Sequence, residues 1–223
     1  MKSSKELLKV NQFCDFVNDN HLYLIRMSFN NNSINYWSRS CSAMDWLKIS
    51  TDHIRNISKR RIMELSDLEF FSLITAITLV MDCIGLLHKT FIDSKTQPFK
   101  GEQKIFAHRQ FDLDDTDYFK KIRAIFGAHP VDIQIKGKNS KLWYASWPSD
   151  GNSQSHQKRV YLYGEDISDK YIEFGISITE LFEFYSTRFA YISVIKKSIK
   201  SKITEYKTNL QRIPIRRVSD PME

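Results

Sequence analysis

The chain contains few of the residues that break secondary structure or cross-link a fold. Seven glycines, five prolines and three cysteines are spread over 223 residues. Such low glycine and proline counts exclude long linkers and low-complexity tracts, and the sequence has no internal repeat. Cys14, Cys41 and Cys83 are odd in number, lie far apart and form no CxxC pair. They therefore support neither a disulfide framework nor a zinc site, and we expect reduced thiols in a cytosolic protein.

Familiar catalytic and nucleotide-binding motifs are missing as well. The sequence has no GxGxxG, GxxxxGK[ST], HExxH or GxSxG pattern. Its six histidines show no pair at the i, i+4 spacing of helical metal ligands. The sequence thus predicts no cofactor and no metal site.

Positive charge is in excess and unevenly distributed. There are 33 Lys and Arg residues against 26 Asp and Glu residues, a formal net charge of +7. Most of the excess lies in residues 196–217, and a smaller cluster occupies residues 59–61. A basic balance favours polyanions, either nucleic acid or an anionic membrane surface. The alternative is that each cluster is only a solvated helix face.

One apolar segment, residues 70–87, approaches the length needed to span a membrane. Asp82 lies inside it and Glu69 adjoins it. An ionised carboxylate at the centre of a bilayer costs about 3 kcal/mol, whereas a helix at the centre of a bundle avoids that cost. We therefore expect a core helix and no integral membrane association. The N-terminal ten residues contain no apolar stretch typical of a signal peptide, so a cytoplasmic location is predicted.

The hydrophobic spacing predicts a mainly α protein. Helical spacing occurs in residues 5–18, 34–57 (with an interruption near Ser50), 70–87, 118–128 and 171–210. Alternating or aromatic-rich stretches predict strands at residues 131–135, 142–147 and 159–163. We therefore expect one domain over residues 1–223, a helical bundle with a small three-stranded antiparallel β insertion at residues 131–164. Residues 214–223 are expected to form a flexible tail.

One short element suggests chemistry. Arg123 is followed six residues later by His129, at the end of a helix with acidic N-terminal residues and directly before Pro130. This arrangement resembles the RxxxxxH motif of the HEPN (higher eukaryote and prokaryote nucleotide-binding) superfamily. The resemblance covers the helices on either side of the motif and does not extend to the β insertion.

The resemblance implies metal-independent cleavage of RNA. His129 would act as general acid and base, a role suited to an imidazole near neutral pH, and Arg123 would hold the scissile phosphate. Asp82 would orient Arg123, and Lys120 and Lys121 would contact further phosphates. The family further implies a homodimer that joins two motifs, a function in toxin–antitoxin or defence systems, and a protein partner such as an antitoxin.

Several alternatives remain open from the sequence. Arg123 and Asp82 would instead form a buried or half-buried salt bridge, and His129 would be a cation at a helix C-terminus. Ala124 stands where active family members carry a polar residue, which favours a non-catalytic module that binds a protein partner or a nucleotide. A third alternative is a peripheral membrane protein that uses the basic residues 196–207.

The aromatic strand residues allow one further interpretation. Rings on a sheet can stack on unpaired RNA bases, while rings on the buried face are core. Packing is the expected role for most of them. The residues are Trp143, Tyr144, Trp147, Tyr161 and Tyr163.

Overall fold

The computed structural model describes residues 2–29, 35–60, 65–128, 133–134, 142–148 and 157–212. The N-terminal half is helical: α1 (Lys2–Asp19), α2 (His21–Phe29), α3 (Tyr36–Ser58), α4 (Asp67–Phe91) and α5 (Asp115–Arg123). A π-helix (Ala124–Ala128) continues α5. Four strands follow, β1 (Ile133–Gln134), β2 (Leu142–Ser146), β3 (Gln157–Gly164) and β4 (Ile172–Ser177), and then α6 (Ile178–Ala190) and α7 (Ile192–Gln211). The predicted class, a mainly α bundle with a small antiparallel sheet, is confirmed.

Helix α4 forms the centre of the bundle. It begins at a capping box: Ser66 accepts a hydrogen bond from the Glu69 amide, and the Glu69 carboxylate accepts one from the Ser66 amide. It contacts α3, α5, α6 and α7, so apolar residues are buried around most of its circumference. By length and composition α4 is able to cross a membrane, but 56% of its most apolar 18-residue window is buried by protein. That burial agrees with the predicted core helix.

Helix α3 runs without a break from Tyr36 to Ser58, so the predicted interruption near Ser50 is wrong. Ser50 and Thr51 are 2% and 1% exposed, so these short side chains are packed inside the helical bundle. Their polarity suggested a loop, but close helix packing decided the conformation. The start of α3 is fixed by Asn35, whose side chain accepts a hydrogen bond from the Ser38 amide at 3.0 Å.

The sheet is antiparallel, with strand order β1-β2-β3-β4. Trp143 pairs with Gly164 between β2 and β3, and Val160 pairs with Phe174 between β3 and β4. The predicted strand regions overlap β1, β2 and β3, and the sheet has a fourth strand where three were predicted. Strand β1 has only two described residues, and of the predicted segment 131–135 the rest lies outside the described residues.

Strand β4 corrects the prediction that residues 171–210 form one helix. Phe174 and Ile176 alternate with less buried neighbours, and both are buried in the core. The helix begins only after Ser177, whose hydroxyl accepts a hydrogen bond from the Glu180 amide at 3.4 Å. A second break at Tyr191 separates α6 from α7. The predicted tail at residues 214–223 lies outside the described residues.

The irregular segment of residues 92–114 is held against the start of α5 by one buried carboxylate. Asp115 is 0% exposed and accepts hydrogen bonds from the Lys104 amide at 2.9 Å and the Ile105 amide at 3.2 Å. It also forms an ion pair with Arg109. Because buried charges are stable only when paired and hydrogen-bonded, these contacts fix the path of the segment. That path positions Phe99 beside α4, α5 and α6.

Candidate functional site

Helix α5 buries its apolar residues together with Asp115 and exposes most of its other charged residues. Asp114 caps it by accepting a hydrogen bond from the Asp117 amide at 2.9 Å. Tyr118, Phe119 and Ile122 are buried in the core. The remaining face carries the cations of the last helical turn. Lys120 and Arg123 on this face are exposed to solvent, which makes them accessible to a ligand.

The helix changes type directly after Arg123. The sequence predicted α-helix as far as Ala128, but Ala124–Ala128 form a π-helix. Phe126 is buried there against Phe70 and Trp147, with ring centroids 5.3 and 5.5 Å apart. Gly127 permits the close packing, because a Cβ at this position would lie 2.6 Å from the Phe71 ring. Short π segments occur frequently at functional sites, and this one connects Arg123 to His129.

Asp82 of α4 faces the cations of α5. Burial raises the pKa of this carboxyl above its usual value, and the positive charges of Arg123 and Lys120 act in the opposite direction. Arg123 and Asp82 both lie in the described part of the chain and form no direct ion pair there. They interact only through their charges. Since Arg123 is exposed, it is not the buried salt-bridge residue of the alternative prediction.

The structure brings three of the five predicted site residues together. Asp82, Lys120 and Arg123 lie within electrostatic reach of one another. Lys121 is half-buried with its ammonium 5.6 Å from the centre of the Phe111 ring, beside the sheet rather than beside Asp82. His129 lies outside the described residues, so its distance from Arg123 stays undetermined.

Asp82 and Lys120 also line a cavity of about 260 Å³, here called the α4–α5 cavity. It lies between α4, α5, α6 and the segment of residues 92–114. On α4 its lining residues recur at the spacing of one helix face. Its charged lining residues are Asp82, Lys89, Lys120 and Arg188.

Arg188 is the residue that the sequence analysis missed. It is 1% exposed, and its guanidinium lies between Phe99 and Phe184, at 4.2 and 4.5 Å from the ring centres. Burial lowers its pKa, while the charges of Asp115, Glu102 and Asp114 raise it. The sequence did contain a signal for Arg188. It is a charged residue on the apolar stripe of α6, just as Asp82 is a charged residue in the apolar run of α4.

A buried histidine connects the far end of α4 to its neighbours. His88 is 4% exposed and hydrogen-bonds with the Tyr191 hydroxyl at 3.0 Å and the Thr96 hydroxyl at 2.9 Å. Burial lowers its pKa, which favours the neutral imidazole. These contacts hold α4, the 92–114 segment and the α6–α7 junction together beside the cavity.

The aromatic and basic surfaces are mainly structural where they are described. Trp143 is 4% exposed, and Trp147 packs against Phe70 and Phe126, as expected for core rings. Tyr163 is 47% exposed and lies on the open face of the sheet. On α7, Lys207 covers the ring of Tyr23 at 4.5 Å, so part of the basic face packs on α2.

Comparisons with known protein families, with curated proteins and with solved structures found no match to this chain. Within the described ranges, no group of three or more His, Cys, Asp or Glu side chains is arranged to hold a metal ion.

Proposed function

We propose that this protein is a cytoplasmic RNA-binding module that cleaves RNA without a metal ion. The observation that carries the proposal is the position of Arg123. It is exposed at the last residue of α5, lies near Lys120 and Asp82, and is followed by a π-helix that leads to His129. An exposed arginine offers the planar, bidentate donor set that suits a phosphodiester.

The proposed chemistry is a transfer within the RNA backbone. The ribose 2′-oxygen attacks the adjacent phosphorus and the bond from phosphorus to the 5′-oxygen breaks. A base accepts the 2′-hydroxyl proton, and an acid protonates the departing 5′-oxygen. His129 supplies these proton transfers, Arg123 stabilises the negative phosphoryl oxygens, and Asp82 acts on Arg123 through its charge.

A homodimer would complete such a site, since one imidazole accepts a proton while a second one donates. Two Arg123–His129 elements that face each other provide both groups and double the positive charge that holds RNA. Because the Arg123–His129 element resembles the HEPN motif, we also propose that the protein is a toxin or defence component with an antitoxin-like protein as partner. Size-exclusion chromatography with light scattering measures the assembly state.

The competing proposal is a non-catalytic module that binds a protein partner or a nucleotide. Ala124 favours it, because this first residue of the π-helix has no polar group to offer a substrate. RNA binding separates the two proposals. Association through phosphates weakens steeply as the salt concentration rises. No detectable RNA binding at low salt would leave only the non-catalytic module.

The decisive experiment compares Arg123→Ala and His129→Ala with Arg26→Ala in an RNA-cleavage assay. Arg26 is an exposed arginine of α2, so its removal changes net charge equally. We expect loss of cleavage of at least 100-fold in the first two variants, in line with the loss of an acid–base group or a phosphate clamp. Unchanged far-UV circular dichroism would show intact folding. Cleavage retained in both variants would refute the site.

A further inference from the structure

Arg188 has unsatisfied hydrogen-bonding capacity in a buried position. Its Nη2 donates to the Thr116 hydroxyl at 3.3 Å, and its Nη1 lies 3.7 Å from a Glu102 carboxylate oxygen. Among the described residues, Nε and Nη1 have no hydrogen-bond acceptor. A buried charged donor without an acceptor is costly, so a guanidinium in this state is suited to receive one from a ligand. Because Arg188 lines the α4–α5 cavity, that ligand would bind there.

The cavity carries more positive than negative lining groups. Lys89 of α4 and Lys120 of α5 join Arg188, and Asp82 is the carboxylate that opposes them. Lys120 also pairs with Asp117 at 2.8 Å, but both side chains are more than half exposed, and such surface pairs contribute little. Even with Glu102 beside Arg188, three cations against one lining carboxylate favour an anionic ligand.

The loop residue that packs on Arg188 has an unusual backbone conformation. Phe99 has a φ of 67°, in the left-handed region that non-glycine residues seldom occupy. Its ring stacks on Arg188 and lies 5.0 Å from the Tyr191 ring, centre to centre. Two residues further on, the Gly101 amide donates to Asp114 at 2.9 Å and fixes the loop. Such strain persists where the surroundings enforce it and is frequent at ligand sites.

We propose that the α4–α5 cavity binds a phosphomonoester, with its phosphate at Arg188, Lys89 and Lys120 and its organic part against Phe99. A phosphomonoester carries close to two negative charges at neutral pH and presents several oxygen acceptors to the guanidinium. The cavity volume of about 260 Å³ is slightly below the usual range for ligand sites, roughly 300–1,000 Å³, so the ligand is small. The inference goes beyond RNA cleavage, in which Arg188, Lys89 and Phe99 have no part.

The phosphomonoester has two possible sources, a free small molecule and the terminal phosphate of an RNA strand. Isothermal titration calorimetry distinguishes them with four probes. Phenyl phosphate represents the free molecule, while a 5′-phosphorylated tetranucleotide and its 5′-hydroxyl form represent the strand end. Inorganic phosphate reports the anion site alone.

Substitutions of Gly85 test most directly whether the ligand occupies the cavity. It lines the cavity, and a Cβ built on it meets nothing within 4 Å, so a larger side chain can enter the cavity without displacing backbone. Gly85→Leu should fill the cavity and weaken phenyl phosphate binding at least tenfold, while Gly85→Ala should leave most of the affinity. Lys89→Ala should weaken binding about tenfold, the loss of one charge-assisted hydrogen bond. Lys170→Ala removes an exposed lysine of the β3–β4 connection and serves as the charge control.

The outcomes separate clearly. Binding of phenyl phosphate by the wild type, with losses in Gly85→Leu and Lys89→Ala only, supports the proposal. Equal losses in Lys89→Ala and Lys170→Ala would overturn it, because surface charge would then explain the binding. The absence of binding of every probe to the wild-type protein would also overturn it. None of these results depends on RNA cleavage, so the nuclease proposal fails or succeeds separately.

Discussion

Substitution of Asp115 by alanine should severely destabilise the fold, although the residue touches no proposed ligand. Its carboxylate is 0% exposed and accepts hydrogen bonds from the Lys104 and Ile105 amides and from Arg109. Removal leaves these donors without an acceptor inside the protein. Breaking a buried pair by removing one partner costs about 3–5 kcal/mol, so we expect a loss of about 4 kcal/mol in the free energy of unfolding.

Asp117→Ala is the matched control for this substitution. Both residues lie in the first turn of α5, where a carboxylate favours the helix dipole, so that contribution is removed in both variants. The Asp117 side chain is 55% exposed and pairs only with an exposed lysine, so its loss should cost less than about 1 kcal/mol. The difference between the two variants isolates the buried contacts of Asp115.

Urea unfolding followed by far-UV circular dichroism measures both variants. The Asp115→Ala midpoint should shift by several times the shift of Asp117→Ala at an unchanged slope. Equal shifts would refute the reasoning, because they would mean that residues 92–114 do not depend on the buried carboxylate. An intermediate value for Asp115→Asn, which keeps one acceptor, would support the hydrogen-bond interpretation.

Two further predictions concern helix packing and charge. Gly127→Ala should lower the melting temperature through a loss of about 1 kcal/mol, because its Cβ would have to displace the partly exposed Phe71 ring. Gly85→Ala, with open space around its Cβ, should raise it. Because burial raises the pKa of Asp82, its ionisation opposes folding once the pH rises above the ordinary pKa of an aspartate. Asp82→Asn should therefore stabilise at pH 7 but not at pH 3, and equal melting curves at pH 7 would contradict this.

Local signals in the sequence predicted α4 better than β4. The start of α4 depends on a capping box between Ser66 and Glu69 and on a long apolar run, and both act within the segment itself. In β4, Phe174 and Ile176 fit a strand face, yet the residues after Ser177 continue the apolar pattern at helical spacing. Pairing with β3 decides the conformation, and a partner strand about a dozen residues away is not visible in local periodicity.

The candidate site was predictable only where a residue departs from the local pattern of its own helix. Asp82 stood out because it interrupts an apolar run, and Arg123 and Lys120 stood out through their positions near the end of a capped helix. The left-handed backbone of Phe99 depends on contacts with other elements and gives no local signal. The π-helix depends on the packing of Phe126 and Gly127 against α4, which periodicity also does not reveal.

Buried and exposed charges have different functions in this protein, and their hydrogen bonds distinguish them. Asp115 is buried with its acceptors occupied by the chain, so its role is completed by folding. Arg188 is buried between two aromatic rings and beside Glu102, but its Nε and Nη1 have no hydrogen-bond acceptor among the described residues. Asp82 and Arg188 lie on different helices, α4 and α6, that contact each other, and both line one cavity. Because burial of the Arg188 charge costs folding free energy, its position beside a cavity that the exposed Asp82 also lines favours a ligand there.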